Sequence, residues 1–297
     1  MNKFLLPIIL AHFLLPPAAL AGDLLVIQSM AIKPYNEALQ GCRSVCKARM
    51  RKITSSELSE DEVLAQVRAI EPSLILAIGQ DALTKVDGIR DVPIIYLMVL
   101  NPQHLIRENG NITGVSMNIA PERQLTMLRQ ILPRAVKIGL LFDPAKSGSY
   151  VARARDAAVS LDFSLLAKVV HNSREALAAI DGMKGKIDAL WLLPDTTVVT
   201  PTTIDLLLLS TIENRTPLLT FSEKYAEKGA LLSLEVDPSD VGRQAGDMAN
   251  RILAGAEVKS IAREDARGSR MTVNLIVANK LGITINGNVI KQARVIK

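Results

Sequence analysis

The stretch LILAIGQD, residues 74–81, decides the fold class of this chain. Its first five residues are all apolar, without the alternation of a half-exposed strand, so they predict a strand that is buried on both faces. Gly79 then ends the strand, and the polar residues Gln80 and Asp81 follow it. Strands buried on both faces belong to parallel sheets that carry helices on either side, which predicts an α/β protein.

Apolar runs alternate with amphipathic stretches along the whole chain, and each pair predicts one βα unit. We predict strands at 24–29, 74–78, 93–99, 137–142, 165–170, 189–193, 217–220, 230–234 and 271–276, and helices at 34–50, 59–70, 121–132, 150–161, 174–183, 203–214 and 239–254. One doubly wound sheet could hold all the strands, but two sheets, one in each lobe, fit the chain length better. The best candidate for the first crossing between the lobes is 115–121.

The N-terminal residues predict a secretory signal peptide over 1–21. Lys3 supplies a positive charge, residues 5–15 form an apolar run, and the small-x-small pattern at 19–21 suits a signal peptidase. A membrane anchor is the alternative, but the run falls short of the roughly 20 apolar residues that span a bilayer. Gly22, and not a cysteine, follows the cleavage site, which argues against a lipid anchor there. We therefore expect an exported, periplasmic protein.

The composition argues against a nucleic-acid partner. The chain has 297 residues, a formal net charge of +5 and 48% hydrophobic residues, of which few are aromatic. Its dense basic run comprises Arg43, Lys47, Arg49, Arg51 and Lys52. Such a run can bind nucleic acid or an anionic surface. Because no aromatic residues are interleaved and the chain is predicted to be exported, we interpret the run as the solvated face of one helix.

The two cysteines, Cys42 and Cys46, are spaced to lie one turn apart on one face of a helix. The first interpretation is a pair of small buried residues. The second is a disulfide that distorts the helix, since an exported chain meets an oxidising compartment. A metal or redox site would need further ligands, and no histidine is near.

Strong catalytic signatures are absent from the sequence. It contains no G-x-S-x-G, no H-E-x-x-H, no Walker-type phosphate loop and no C-x-x-C motif. The three histidines, His12, His104 and His171, are too few for a typical metal site. We therefore expect a protein that is not an enzyme and that holds no cofactor or metal.

Polar residues cluster directly after the predicted strands, where open α/β sheets bind their ligands. They are Gln28, Ser29, Gln80, Asp81, Asn101, Asp143, Asp195, Thr196, Thr197, Ser222 and Glu223. Carboxylates in such places can bind an ammonium group by charge-assisted hydrogen bonds. Asp195 and Glu223 could also serve as the acid/base pair of an exported enzyme, which stays a less favoured alternative. Trp191 lies inside a predicted strand and is expected in the core.

A series of motifs resembles the ABC-transporter substrate-binding family that includes tryptophan- and tyrosine-binding lipoproteins. The first three are NITGVS at 111–116, PERQL at 121–125 and LPRAVKIGLLFDP at 132–144. The later ones are DTTVV at 195–199, TPLLTFS at 216–222, KGA at 228–230, DVGRQAG at 240–246, VNL at 273–275 and ANKLGI at 278–283. Together they cover nearly the whole mature chain, in order.

The resemblance implies the type I periplasmic-binding-protein fold, with two Rossmann-like lobes and parallel sheets. Lobe one would comprise 22–116 and 238–258, and lobe two 119–236 and 262–297. Hinge crossings would lie near 117–118, 236–238 and 259–262. The lobes would close around a small polar solute, an amino acid or a related molecule. The closed form, a monomer, would dock on an inner-membrane ABC permease or, alternatively, on a sensor receptor such as a kinase or cyclase.

The resemblance also implies a set of ligand-binding residues at the strand ends. Carried over by motif, they are Gln28, Gly79, Ser116, Ser149, Asp195, Thr197 and Ser222. Two further candidate ligand-binding positions are ones at which this sequence departs from the family pattern. Met117 stands where the family often has Asp, and Thr196 where it often has Asn. Because several head-group partners are changed, the sequence does not predict an aromatic amino acid as the ligand.

Overall fold

The computed structural model describes residues 23–106 and 110–297. The signal peptide predicted at 1–21 lies outside the described residues. Within the described ranges, no helix is both long and apolar enough to cross a membrane.

The strands form two sheets. They are β1 Leu24–Gln28, β2 Met50–Thr54, β3 Leu74–Ile78, β4 Ile94–Val99, β5 Ile112–Ile119, β6 Lys137–Phe142, β7 Ser164–Val169, β8 Ala189–Trp191, β9 Leu218–Thr220, β10 Leu232–Val236, β11 Glu264–Ala266, β12 Ser269–Asn274 and β13 Arg294–Ile296. The first sheet has the order β11-β5-β4-β3-β1-β2, and the second β13-β12-β10-β9-β8-β6-β7. All pairings are parallel except that of β10 with β12. The α/β class with two mainly parallel sheets is confirmed.

Helices cover both sheets, as buried parallel strands require. They are α1 Lys33–Val45, α2 Glu60–Ile70, α3 Gln80–Val86, α4 Pro121–Ile131, α5 Pro144–Ser160, α6 Ser173–Met183, α7 Pro201–Glu213, α8 Glu223–Glu227, α9 Pro238–Leu253, α10 Leu275–Leu281 and α11 Gly287–Gln292. The start predicted for α2 at Ser59 is confirmed. The Ser59 hydroxyl accepts the Glu62 amide, and the Glu62 carboxylate accepts the Ser59 amide at 2.7 Å.

We call the first sheet with α1, α2, α3 and α9 the first lobe, and the second sheet with the remaining helices the second lobe. The chain passes from the first sheet to α4 at Ala120, returns after β10 at Asp237, and crosses again between β11 and β12. Because β5 continues to Ile119, the first crossing lies beyond the predicted 117–118 and within the wider window 115–121.

The third crossing differs from the prediction. The sequence and the resemblance predict it near 259–262, with 262–297 in the second lobe. Instead β11 pairs with β5 of the first sheet, with Glu264 beside Val115 and Ala266 beside Ile119. The crossing therefore lies at 267–268. The strand has the sequence EDA, so it carries no apolar run, and its pairing with β5 holds it in place.

The first helix is shorter than predicted, and the basic run does not lie on one helix face. The helix predicted at 34–50 ends at Val45, and the strand β2 begins at Met50. Of the basic residues, Arg43 lies on α1 whereas Arg51 and Lys52 lie on β2, at the edge of the sheet. Charged side chains on an edge strand oppose pairing with another chain.

The two cysteines lie where α1 packs against α9. Cys42 and Cys46 are both free thiols and both buried. The packing is close enough that a Cβ on Gly242 would overlap the carbonyl oxygen of Ala38, and one on Gly41 would overlap that of Ser239. The hydrogen bond between the thiols, together with burial, raises the pKa of Cys42, whereas accepting that bond lowers the pKa of Cys46.

Candidate functional site

A cavity of about 540 Å³ lies between the two lobes. Both sheets contribute to it, through the ends of β4 and β5 on one side and of β8, β9, β10 and β12 on the other. The lining residues are Lys33, Pro34, Glu37, Met98, Leu100, Asn101, Met117, Asn118, Ile119, Gln124, Ser147, Tyr150, Leu193, Pro194, Phe221, Ser222, Leu234, Glu235, Val236, Pro238 and Arg270. Apolar side chains form most of this wall.

The wall on the first lobe is shaped by an irregularity in β4. The pairing of β4 with β5 shifts register between Leu97 and Val99, and the residue between them, Met98, has a φ of +57°. A bulge of this kind turns a side chain away from the regular pleat. Positive φ is unfavourable for a methionine, at a cost of roughly 1–2 kcal/mol. The distortion places Met98 in the wall of the cavity, where it is buried.

A polar network buried beside the cavity joins the second lobe to the first crossing. The Gln124 side-chain amide donates to the Tyr150 hydroxyl at 2.7 Å and to the carbonyl of Ile119. Tyr150 donates to the same carbonyl, and the Trp191 indole donates to Gln124 at 2.9 Å. Burial raises the pKa of Tyr150, so the phenol stays protonated and remains a donor. Trp191 is fully buried, as predicted.

Asp195 is buried and already engaged within the second lobe. One carboxylate oxygen accepts the Asp143 amide at 2.9 Å, and the other accepts the Thr197 amide at 3.0 Å. The Thr197 hydroxyl donates to the Asp143 carboxylate at 2.7 Å, and this bond, with one from the Ala145 amide, holds the pKa of Asp143 below its usual value. Thr196 is exposed. This group ties the ends of β6 and β8 together, and none of its members lines the cavity.

Ser116 lies on β5 next to the cavity, with its hydroxyl turned toward β11. It donates to the Asp265 carboxylate at 2.7 Å, and Arg153 of α5 pairs with the other oxygen of that carboxylate at 2.6 Å. Asp265 therefore links the first sheet to a helix of the second lobe. The next residue along the strand, Met117, lines the cavity.

The residues predicted at the carboxyl ends of β1 and β3 form a group that is separate from the cavity. The Gln28 side-chain amide donates to the Met30 carbonyl, and the Ser29 hydroxyl accepts the Ala82 amide at 2.9 Å in the first turn of α3. Gly79 has a φ of +92°, and the space beside it is filled by Ser29 and Tyr35. Gln80 is exposed. None of Gln28, Ser29, Gly79 or Gln80 lines the cavity.

The remaining predicted residues lie around the cleft. Asn101 lines the cavity, and its side-chain amide donates across the cleft to the Lys146 carbonyl at 3.0 Å. Ser149 is exposed and accepts a hydrogen bond from Gln103 at 2.8 Å, also across the cleft. Ser222 lines the cavity. Glu223 instead forms an ion pair with Arg294 of β13.

Several cavity residues have no counterpart in the sequence prediction. Met98, Gln124, Tyr150, Glu235 and Arg270 line the cavity, yet none was among the predicted site residues, although Glu235 directly follows the strand predicted at 230–234. Three of them, Met98, Glu235 and Arg270, lie on strands. Which side of each strand faces the other lobe depends on how the two lobes pack against each other. A signal was available only at Glu235, a charge within the apolar run that follows Ala230.

Charged side chains gather at one end of the cavity. Arg270 lies 2.9 Å from the Asp237 carboxylate and 3.3 Å from that of Glu37, so it contacts both lobes. Lys33 is 3.9 Å from Glu37. Burial raises the pKa of Glu235, and the nearby Arg270 partly opposes this shift. Among the described residues, no group of three or more His, Cys, Asp and Glu side chains is placed to hold a metal ion.

The sequence model of the ABC transporter substrate-binding protein family matches residues 37–297. The chain belongs to this family. The matched region includes both sheets from β2 onward and most of the cavity wall, among it Met98, Glu235 and Arg270. The resemblance inferred from the motif series is thereby confirmed.

One curated protein is similar to part of the chain. A tyrosine-binding protein of Clostridioides difficile (strain R20291) is 28% identical over 180 residues. The alignment covers 58% of this chain and 52% of the relative, so it spans about half the length of that protein.

Solved structures share the fold over nearly the whole chain. A ligand-free, open substrate-binding protein with adhesive properties from Clostridium difficile has a TM-score of 0.73 at 19% identity, covering 93% of this chain and 99% of its own. The ABC domain from Streptococcus pneumonia in complex with L-Trp has a TM-score of 0.61 at 20% identity, with coverage of 93% and 99%. This likeness establishes the fold of the periplasmic binding proteins.

Proposed function

We propose that this chain is an exported, non-enzymatic solute-binding protein that delivers a small molecule to a membrane-bound ABC permease. The observation that carries the proposal is the cavity of about 540 Å³ that both lobes line. Small-molecule sites commonly measure about 300–1,000 Å³ and form where two domains meet. Family membership and the motif series of the sequence support the same function.

Binding would act through the relative position of the lobes. Within the described residues, three short segments connect them, at Ala120, at Asp237 and at 267–268. A ligand that contacts both lobes stabilises the arrangement in which they approach each other, and the protein closes by rotating about the connections. The hydrogen bonds from Asn101 to Lys146 and from Gln103 to Ser149 cross the cleft and fit such closure.

The ligand we propose is an amino acid or a related small solute. A curated relative is named for tyrosine binding, and a structural neighbour holds L-Trp. Three residues predicted from the sequence, Asn101, Met117 and Ser222, line the cavity, and we propose them as ligand contacts.

A thermal-shift screen tests this function. The full chain is expressed with its own N-terminus in a Gram-negative host, recovered from the periplasm and screened against amino acids, amines, sugars, nucleosides and small acids. A ligand present at 100 times its dissociation constant adds about 2.7 kcal/mol of stability, which a melting curve resolves. We expect saturable binding. We also expect the intact mass of the purified protein to equal that of a chain that begins at Gly22. No saturable binding across the library would overturn the proposal.

A variant that fills the cavity gives the site its own test. Ser222→Trp adds a large side chain inside the cavity and should abolish the binding found in the screen. The matched control is Ser173→Trp, because Ser173 is exposed at the start of α6. Unchanged binding in Ser222→Trp would place the ligand elsewhere.

A further inference from the structure

Glu235 is a charged group of the cavity that has no hydrogen-bond or ion-pair partner among the described residues. Of these residues, four with charged side chains line the cavity, namely Lys33, Glu37, Glu235 and Arg270. Arg270 pairs with Glu37 and Asp237, whereas Lys33, a mostly exposed side chain, lies 3.9 Å from Glu37. Within the described part of the chain, no hydrogen bond or ion pair reaches the Glu235 carboxylate. The positive charge of Arg270 partly stabilises the Glu235 carboxylate, but Arg270 already pairs with the carboxylates of Glu37 and Asp237.

The surroundings of Glu235 make its negative charge costly in the absence of a ligand. It stands in β10 between Leu234 and Val236, both buried, and it is itself half-buried. Burial raises the pKa of the Glu235 carboxyl, because ionisation in an apolar setting loses hydration. A cation that enters the cavity would supply the missing charge-assisted hydrogen bond and recover this cost.

The rest of the wall specifies an apolar body for the same ligand. Met98, Leu100, Met117, Ile119, Phe221 and Leu234 line the cavity. Methionine side chains adapt to the shape of an apolar guest, and an aromatic ring accepts either an apolar group or a cation on its face. Of the two cations in the described wall, Arg270 is held by Asp237 at 2.9 Å, and Lys33 has a side chain that is 88% exposed to solvent. The described wall therefore offers no buried, unengaged cation to a ligand carboxylate.

We propose that the cleft selects an organic cation, an amine with an apolar body, and that Glu235 binds its ammonium group. This inference rests on the proposed function and names the chemical class of the solute. It differs from the family-derived expectation, in which Asp195 would meet an amino group, because both oxygens of Asp195 accept amides of its own lobe.

The test compares ligands that share one apolar body and differ in the charged groups that this body carries: an ammonium, an ammonium with a carboxylate, or a carboxylate. The aryl series is 2-phenylethylamine, L-phenylalanine and 3-phenylpropionate, and the alkyl series is pentylamine, L-norleucine and hexanoate. Affinities are measured by calorimetry on the full, processed chain. We expect the amine to bind most tightly in at least one series. Glu235→Gln should weaken that amine by about 10-fold or more, the loss of one charge-assisted hydrogen bond.

Two further variants make the assignment specific to Glu235. Glu213→Gln removes an exposed carboxylate at the end of α7 in the same lobe and should leave the amine affinity unchanged. Glu235→Lys should abolish amine binding and favour the acid of the same series. Melting curves of all variants show whether each is folded.

The outcomes separate this inference from the proposed function. Tightest binding of the amino acid, of the acid or of an uncharged library solute would overturn the charge assignment and leave solute binding intact. An amine affinity that Glu235→Gln does not change would overturn it as well. No saturable binding in the two series or in the wider library would overturn the proposed function, and this inference with it.

Discussion

Arg270 of the second lobe contacts Glu37 of the first lobe, with its guanidinium 3.3 Å from the carboxylate. The same guanidinium lies 2.9 Å from Asp237, the residue through which the chain passes from β10 to α9. One side chain thus links α1, β12 and a crossing between the lobes. Arg270 is about half exposed, so the pair contributes to the relative position of the lobes more than to stability.

Arg270→Ala should change the distribution of lobe positions in the ligand-free protein while lowering its stability by less than about 1 kcal/mol. Small-angle scattering and the distance between fluorophores on the two lobes measure the first effect, and urea unfolding the second. Arg294→Ala is the matched control, because Arg294 has similar exposure and its partners among the described residues are Glu223 and Glu227 of its own lobe. Identical lobe distributions in the two variants would contradict the prediction.

Glu235→Gln should be at least as stable as the wild type at neutral pH when no ligand is bound. Burial raises the folded-state pKa of Glu235 above its ordinary value of 4.5. Such a group contributes stability below its unfolded pKa and loses it as pH rises through the folded pKa. The charged groups around it, Arg270, Glu37, Asp237 and Lys33, are common to both proteins.

Urea midpoints at about pH 7 and about pH 4 measure this effect, with Glu213→Gln as the control for loss of a surface charge. Relative to the wild type, the Glu235→Gln variant should gain stability as the pH rises between these values. A variant that is less stable than the wild type at both pH values would show that the ionised Glu235 is stabilised by contacts within the protein.

Asp195→Ala should destabilise the protein, because Asp195 is buried and accepts the amides of Asp143 and Thr197. An unsatisfied buried donor costs about 1–3 kcal/mol, so a loss of about 2 kcal/mol or more is expected in urea unfolding. Asp195→Asn keeps one acceptor oxygen and should lose less. Thr196→Ala is the control, because Thr196 is the exposed neighbour of Asp195. Its free energy of unfolding should stay within about 0.5 kcal/mol of the wild-type value. Equal stabilities of the Ala and Asn variants would argue against this role.

Asp188→Asn should weaken the loss of stability in acid. The Asp188 carboxylate accepts the amides of Lys137 and Val136, each at 2.8 Å, and these bonds hold its pKa below the ordinary value of 3.8. A carboxyl with a lowered folded-state pKa contributes stability above its unfolded pKa and loses it as pH falls through the folded value. Urea midpoints from about pH 6 to below about pH 4 should therefore fall less in the variant. Asp156→Asn, an exposed position on α5, should follow the wild type.

Gly242→Ala should destabilise the first lobe, since the new Cβ would overlap the Ala38 carbonyl oxygen on α1. Overpacking of this kind costs about 1–3 kcal/mol. Gly182→Ala is the control, because Gly182 lies on α6 with open space around it and alanine favours a helix by about 0.5–1 kcal/mol. Chemical denaturation of both variants should therefore give shifts of opposite sign. A neutral Gly242→Ala would mean that α1 and α9 move apart at little cost.

The elements that the sequence predicts well are those whose residues carry their own pattern. The strands at 74–78 and 137–142 and the start of α2 after Ser59 all agree with the structure. The elements it misses include β2 and β11, with sequences MRKIT and EDA. Each is a strand at an edge of the first sheet, where the neighbouring strand supplies the hydrogen bonds. Their own residues carry no apolar run.

Prediction of the site from strand ends was partial, because a polar residue after a strand has two uses. Asn101 and Ser222 line the cavity, whereas Ser29 and Asp195 accept backbone amides inside their own lobes. Periodicity distinguishes buried from exposed positions but does not say which polar group is already satisfied. The answer depends on contacts between residues far apart in the chain.

The sequence by itself determined the α/β class, most of the helices and strands, and the family of this protein, because each depends on short-range pattern or local motif. The tertiary structure alone decided the composition of the cavity. It brought Met98 to the wall through a bulge in β4, placed Arg270 across from Glu37, and left Glu235 without a hydrogen-bond or ion-pair partner in the described part of the chain. These contacts form where the two sheets face each other. The free-energy cost of ionising a side chain there depends on neighbouring residues from both sheets.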